Sequence, residues 1–213
     1  MYNFEIIEDC SPYYIRYSHD KIPDIVSYCL EVTEKQNYTK GFNHHVLGAE
    51  YALPIIDKIP ESRLLDLNKN RVSLFVTNPG FYYRAHKDGL SHRFSINYTI
   101  KILDDKCVTN WYSDEDLKMY PIDNLKFIEY WKDKNLDTYY NGSSREADGF
   151  IKENHIPAKT MIAKPNEVIL FNTDIFHDFD NSTSTNQRIV LTFRATRPAN
   201  IYFNDVKKIL FDF

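Results

Sequence analysis

The chain has 213 residues, of which 43% are hydrophobic and 26% charged, so it has enough material for one domain with a sizeable core. This composition excludes a disordered, collagen-like or coiled-coil chain. The formal net charge of -4 and the pI near 6.0 argue against a protein that wraps nucleic acid nonspecifically. The longest apolar runs, such as residues 168–171, are too short to cross a bilayer.

The start of the chain and its cysteines predict where the protein works. The first ten residues lack the basic and apolar regions of a secretory signal. Cys10, Cys29 and Cys107 lie far apart, and an odd number of them fits neither a disulfide framework nor a metal knuckle. We therefore expect an intracellular, cytoplasmic protein with no membrane segment.

The first seventy residues predict mostly helices. Pro23 occupies a first helical position, and apolar residues recur at helical spacing from there to about residue 36. A second helix is predicted over 49–59, with Pro54 inside it or limiting its start, and a short third one over 61–67.

Strands begin at Arg71. Residues 72–77 alternate between apolar and polar, and 81–85 are aromatic and extended. The clearest strand signal covers 93–103, where Phe94, Ile96 and Tyr98 face one way and the polar residues between them face the other. After a turn at 104–106, residues 107–112 are predicted to return as its hairpin partner.

Residues 113–157 interrupt this pattern, with a helix predicted over 123–134. Strands resume at 159–163, 167–172, 175–179 and 188–195, separated by turns. The order of elements predicts a mainly β protein with flanking helices: a β-sandwich or open barrel that N-terminal helices support on one face.

A candidate metal pair follows the aromatic stretch at 81–85. Residues two apart in an extended chain point to the same side, so His86 and Asp88 can converge on one ion while Lys87 points away. An imidazole and a carboxylate suit a divalent iron-type ion when a third ligand arrives from elsewhere. Alone, the pair is better explained as a surface histidine beside a capping aspartate.

His177 and Arg188 make the metal interpretation more specific. His177 lies near the end of one predicted strand, and Arg188 opens the next one. A buried arginine there needs an anionic partner, because its charge cannot be removed by deprotonation. A dicarboxylate cosubstrate provides that partner through bidentate hydrogen bonds.

Together these residues resemble the iron(II)- and 2-oxoglutarate-dependent oxygenase superfamily, whose core is a double-stranded β-helix of the jelly-roll or cupin-like type. The matching positions are His86, Asp88, His177 and Arg188. The aromatic residues 81–86 are similar to the lead-in of prolyl-hydroxylase-like members. Residues 93–98 look like the R-x-x-x-N strand of small members, many of them found in phages, which leaves a phage origin open.

The resemblance implies an enzyme, most simply a hydroxylase, that uses Fe(II), 2-oxoglutarate and O2 and releases succinate and CO2. His86, Asp88 and His177 would hold the metal, and Arg188 the distal carboxylate of 2-oxoglutarate. Tyr83, Asn97 and Tyr98 are further cosubstrate candidates. Asn97 and Tyr98 face opposite ways in a strand, so one of them at most points inward, and Asn97 is preferred because it lies on the polar face.

The predicted organisation is a single domain over 1–213. Residues 1–70 would give helical N-terminal support, 71–112 and 158–197 the β-helix core, and 113–157 an insert that serves as a substrate lid. Two departures from the family pattern stand out: Val190 where many members have serine, and Asn166 where a glycine is usual. Neither affects the metal ligands.

Substrate identity stays open between a peptide side chain and a small metabolite, with the prolyl-hydroxylase-like lead-in favouring a peptide. Nucleic acid is disfavoured by the charge. The alternatives are a non-catalytic jelly-roll binding module and a cupin-type metalloenzyme that does not use 2-oxoglutarate. The other histidines are interpreted as surface or hydrogen-bonded residues: His44, His45, His92 and His155. Several aromatic residues and one arginine are candidates for the substrate mouth, and for the aromatic ones an ordinary place in the core is as good an interpretation: Trp111, Tyr112, Trp131, Tyr139, Tyr140 and Arg145.

Overall fold

The computed structural model describes residues 3–35, 42–88, 93–119, 147–152, 155–194 and 201–211. Among them, no helix has both the length and the apolar character needed to span a membrane. The helices are α1 (Ile22–Glu34), α2 (Ala49–Ile56) and α3 (Phe203–Phe211), with short 3-10 turns at Pro60–Arg63, Lys69–Arg71 and Asp114–Asp116. The strands are β1 (Glu5–Cys10), β2 (Tyr14–Ser18), β3 (Phe42–Val46), β4 (Ser73–Thr77), β5 (Phe81–Lys87), β6 (Phe94–Lys101), β7 (Val108–Tyr112), β8 (Leu117–Met119), β9 (Ala147–Ile151), β10 (Lys159–Ile162), β11 (Val168–Asn172), β12 (Phe176–Asn181) and β13 (Arg188–Phe193).

The described strands form two antiparallel sheets. The larger has the order β1-β2-β11-β6-β13-β4-β3, and the smaller the order β10-β7-β12-β5-β9-β8. They face each other: Trp111 on β7 stacks on Tyr14 of β2, with ring centroids 5.0 Å apart, and approaches Phe171 of β11 at 4.8 Å. This arrangement is the predicted double-stranded β-helix, or jelly roll.

A second core lies on the other face of the larger sheet. Leu74, Ile96 and Leu191 are fully buried there among residues of the helices, such as Ile25 of α1 and Val206 of α3. Each central strand of the larger sheet therefore has one face toward the helices and one toward the smaller sheet. This two-sided burial explains why β13 is buried at every position.

The N-terminal region corrects the sequence analysis in part. The predicted helices are present as α1 and α2, but 61–67 contains only the 3-10 turn at Pro60–Arg63. Residues 1–70 also contain three strands, β1, β2 and β3, that the pattern did not predict. Both β1 and β3 are outermost strands of the larger sheet, and burial on a single side leaves only a weak apolar signal in the sequence.

The predicted hairpin between 93–103 and 107–112 is wrong. β6 pairs with β11 and β13 in the larger sheet, whereas β7 pairs with β10 and β12 in the smaller one. The turn between them therefore carries the chain from one sheet to the other. Sequence periodicity indicates which face of a strand is buried but not which strand it pairs with. A hairpin and a crossover between sheets therefore look the same in sequence.

The insert at 113–157 adds to the smaller sheet where it is described. β9 pairs with β5 next to His86, and β8 pairs with β9. The helix predicted over 123–134 lies outside the described residues. The remaining strands of 159–195 confirm the prediction, with ends shifted by one or two residues.

Candidate metal centre

Three predicted ligands meet between the two sheets. His177 on β12 lies directly opposite His86 on β5, and their ring centroids are 4.4 Å apart. Asp88 follows β5, with its Oδ1 3.5 Å from Nε2 of His86. One ligand atom from each residue lies within 4.8 Å of the others, and all three residues are buried. The spacing suits one divalent ion bound on a single face by two imidazoles and a carboxylate.

Backbone hydrogen bonds orient both imidazoles. Nδ1 of His86 donates to the carbonyl of Arg84 at 2.9 Å, and Nδ1 of His177 donates to the carbonyl of Ile175 at 2.8 Å. With Nδ1 carrying the proton, each Nε2 keeps its lone pair for a metal. In both histidines, a hydrogen bond to the carbonyl two residues earlier thus fixes the orientation of the imidazole.

The electrostatics of the site favour cation binding by two of the ligands, His177 and Asp88. Burial, together with the neighbouring His86, lowers the pKa of His177 to about 3. Burial alone would raise the pKa of the Asp88 carboxyl, but Arg194 and the two histidines outweigh it and hold that pKa well below its usual range. At neutral pH the site therefore presents a neutral His177 and an ionised Asp88, as metal binding requires.

A β-bulge brings Tyr83 to the same cavity. In the pairing of β5 with β12, His86 lies opposite His177 and Tyr83 opposite Phe179, so Arg84 and Ala85 together face one residue. The extra residue turns Tyr83 to the side of His86 despite their odd spacing. The rings of Tyr83 and His86 meet edge to face at 4.7 Å.

Arg188 enters the cavity, and none of the described acidic residues forms an ion pair with it. Its residue is 7% exposed, and its buried Nε finds no acceptor among the residues that the structure describes. The guanidinium lies over the ring of Phe179, 4.1 Å from the ring centroid. A buried arginine in this state is suited to receiving an anionic ligand, because the desolvation of its charge is otherwise uncompensated.

Asn97 and Tyr98 separate as their alternation requires. Asn97 lines the cavity, and its buried Oδ1 has no donor within the described part of the chain. Tyr98 points to the helical side, where its hydroxyl donates to Glu61 at 2.7 Å and lies 2.8 Å from Nε2 of His19. The inclusion of Tyr98 among the cosubstrate residues is therefore wrong.

The cavity between the two sheets has a volume of about 180 Å³. Sequence reasoning missed several of its residues, above all Arg194. A signal existed, since Arg194 follows Arg188 at an even spacing and so faces the same side. The residues that line the cavity are His44, Phe75, Thr77, Tyr83, His86, Asp88, Ser95, Asn97, Thr109, Phe171, Thr173, His177, Asp178, Phe179, Arg188, Val190, Thr192 and Arg194.

The other histidines that the structure describes do not join the ligand cluster. His44 lines the cavity but stacks on Phe75 at 4.5 Å, with its Nε2 3.0 Å from the Ser73 hydroxyl. His155 pairs with Asp116 at 3.3 Å, and His92 lies outside the described residues.

The two aromatic candidates for a substrate mouth that the structure describes do not line the cavity. Trp111 packs in the core between the sheets, and the Tyr112 hydroxyl donates to Asp178 at 2.5 Å. Trp131, Tyr139, Tyr140 and Arg145 fall outside the described residues.

We compared the chain with protein families, curated proteins and solved structures. No protein-family model and no curated protein matches the chain. Among solved structures, HygX from Streptomyces hygroscopicus with iron bound has a TM-score of 0.52 at 7% identity, over 86% of this chain and 82% of that one. EvdO2 from Micromonospora carbonacea var. aurantiaca, complexed with 2-oxoglutarate, has a TM-score of 0.51 at 11% identity, over 92% and 94%.

A prolyl-4-hydroxylase from Pseudomonas putida has a TM-score of 0.45 at 12% identity, over 90% of this chain and 97% of that one. At such identities the likeness concerns the fold. The chain has the jelly-roll fold of iron- and 2-oxoglutarate-dependent oxygenases.

Proposed function

We propose that this protein is a non-haem iron(II)- and 2-oxoglutarate-dependent dioxygenase that hydroxylates a peptide side chain or a small molecule. The observation that carries the proposal is the pairing of two features in one cavity. One is the cluster of His86, Asp88 and His177, and the other is the buried Arg188, whose Nε has no acceptor among the described residues. A metal ligand set explains the first and a carboxylate cosubstrate explains the second.

The donor set fits Fe(II). Two imidazole nitrogens and one carboxylate oxygen form the facial arrangement used by non-haem iron oxygenases, which leaves positions open for other ligands. When bound, the iron supplies the activation of O2 that is coupled to oxidation of 2-oxoglutarate to succinate and CO2. His86, Asp88 and His177 would hold the ion: the backbone orients both imidazoles, and the pKa values of Asp88 and His177 are lowered by their surroundings.

Arg188 would bind the distal carboxylate of 2-oxoglutarate. Its planar guanidinium can donate two parallel hydrogen bonds, and the apolar ring of Phe179 beneath it excludes water from them. Asn97 and Tyr83, on opposite walls of the same cavity, are in position for further cosubstrate contacts. Val190 lines the wall beside Arg188 and adds no hydrogen bond there.

Two alternatives make different predictions. A jelly-roll binding module has no need of three ligands with both imidazoles oriented by the backbone. A cupin-type metalloenzyme without 2-oxoglutarate would use the metal ligands but leave Arg188 without a function. Arg188 therefore favours the 2-oxoglutarate enzyme over both.

The test is an anaerobic titration of the apo protein with Fe(II) and 2-oxoglutarate, followed by the visible metal-to-ligand charge-transfer band of the chelate. The band should form in the wild type, weaken in Arg188→Ala and vanish in His86→Ala. Arg63→Ala, which changes an exposed arginine in the 3-10 turn Pro60–Arg63, outside the cavity, is the matched control and should leave the band unchanged. A folded wild type that forms no band would overturn the proposal and favour the binding module.

A further inference from the structure

A second arginine, Arg194, faces the metal ligands from the other end of β13. Arg188 opens that strand and Arg194 directly follows its last residue, and both line the cavity. Nη2 of Arg194 lies 3.5 Å from Oδ2 of Asp88. Within the described ranges, Arg194 is the one lysine or arginine at ion-pair distance from this carboxylate.

The two oxygens of Asp88 face different partners. Oδ1 lies 3.5 Å from Nε2 of His86, another of the three candidate ligands, whereas Oδ2 faces Arg194. The carboxylate is 8% exposed and the arginine side chain 20%, so solvent screens their attraction only weakly. The geometry thus assigns one oxygen to a metal and the other to the guanidinium.

We propose that Arg194 is a positioning residue, which holds Oδ2 of Asp88 so that Oδ1 alone is presented to the metal. This inference rests on the proposed function, because it assumes that the cluster binds a divalent ion. Asp88 lies beyond the end of β5, and its backbone N–H is held by one bond of 3.3 Å, to the Thr173 carbonyl. Its side chain therefore gains more from an external anchor than do the two histidines, which the backbone already orients.

The direction in which the Mn(II) affinity changes when Arg194 is replaced distinguishes a positioning role from a purely electrostatic one. Removing a cation close to a divalent ion reduces repulsion, so a purely Coulombic role predicts tighter metal binding when Arg194 is neutralised. A positioning role predicts weaker binding, because Asp88 loses the partner that fixes its carboxylate. Loss of an outer partner of a metal ligand typically weakens metal affinity about 10–100-fold.

The experiment measures Mn(II) affinity of the apo protein from the electron paramagnetic resonance signal of free Mn(II). Arg194→Gln should raise the Mn(II) Kd at least about tenfold. Arg194→Lys keeps the charge but not the planar guanidinium, so its Kd should lie between those of the wild type and Arg194→Gln. Arg63→Gln is the matched control, because Arg63 is an exposed arginine that does not line the cavity. It should leave the Mn(II) Kd within about twofold of wild type.

A double-mutant cycle with Asp88→Asn tests whether Arg194 acts through the carboxylate. In that background, Arg194→Gln should change the Mn(II) Kd by less than about twofold. An unchanged or lower Kd in Arg194→Gln alone, with near-ultraviolet circular dichroism showing a folded protein, overturns the assignment. If Arg194→Gln does not fold, the Kd of Arg194→Lys decides in its place. A wild type that binds no Mn(II) overturns the metal centre itself, and with it both proposals.

Discussion

His86 and His177 lie directly opposite each other on neighbouring antiparallel strands, with ring centroids 4.4 Å apart. The two residues come from distant parts of the chain, and the pairing of β5 with β12 places them at one point. Each donates its Nδ1 proton to the carbonyl two residues before it. Strand register, rather than any local motif, therefore builds the candidate metal centre.

Replacing His177 with Ala should abolish measurable Mn(II) binding. The variant removes one of three ligands, so the Kd should rise by more than about 100-fold, beyond the loss typical of an outer-shell partner. Isothermal titration calorimetry gives the value. His155→Ala, which changes a histidine paired with Asp116 outside the cavity, should leave the affinity unchanged. Equal Kd values for the two variants would rule out His177 as a ligand.

Replacing Arg188 with Met should stabilise the ligand-free protein. The buried guanidinium has no acceptor for its Nε among the described residues, and exchanging a buried charge for an apolar side chain of similar volume gains about 1–4 kcal/mol in favourable cases. Urea denaturation should therefore show a higher free energy of unfolding without 2-oxoglutarate. In the presence of Mn(II), adding 2-oxoglutarate at about 100 times its wild-type Kd should stabilise the wild type by about a further 2.7 kcal/mol and the variant by almost nothing.

That order of stabilities has a specific counter-result. If Arg188→Met is less stable than the wild type without ligand, Arg188 stabilises the folded protein through a structural partner, and its place in the cavity is no evidence of an anion-binding role. Arg63→Met, at an exposed position, gives the baseline for the substitution itself.

Replacing Val190 with Ser should strengthen 2-oxoglutarate binding. Val190 lies two residues after Arg188, on the same strand face, and lines the cavity. An added hydroxyl that hydrogen-bonds the distal carboxylate is worth about 1 kcal/mol, or roughly a fivefold lower Kd. Val190→Ala removes similar volume without adding a donor. Equal 2-oxoglutarate affinities of the Ser and Ala variants, from the charge-transfer titration, would show that the position does not contact the cosubstrate.

His19 should make the fold sensitive to acid. Burial lowers its pKa to about 4, against an ordinary value of about 6.5. Between these values the unfolded chain binds a proton that the folded protein does not, so stability falls as the pH drops from about 6.5 towards 4. His19 accounts for roughly 2–3 kcal/mol of that loss at pH 4.5.

Urea denaturation of the His19→Gln variant at pH 7 and pH 4.5 checks this. The variant should lose about 2–3 kcal/mol less than wild type between the two values. The free energy of unfolding of the variant at pH 7 is the control, because any loss of packing or of the contact with Tyr98 already lowers it at that pH. An identical loss in both proteins would show that His19 does not drive the acid sensitivity.

Local pattern was sufficient for much of the fold. The alternation along β6 predicted which residues face the helices and which face the cavity, and Asn97 and Tyr98 lie as that alternation requires. The HxD pair, the distal histidine and Arg188 could be found because their chemistry is unusual at their positions. The pattern failed for β1 and β3, which are outermost strands, and for the supposed hairpin of β6 with β7.

The sequence by itself determined which side chains have the chemistry for a metal and an anion, and on which strand faces they lie, because periodicity and residue type are local properties. Tertiary structure alone decided three things: that β6 and β7 belong to different sheets, that a bulge turns Tyr83 toward His86, and that Arg194 reaches Asp88. Each depends on strand partners far apart in the chain. Which strands pair is settled by the combined burial of both sheets, and no single segment carries that information.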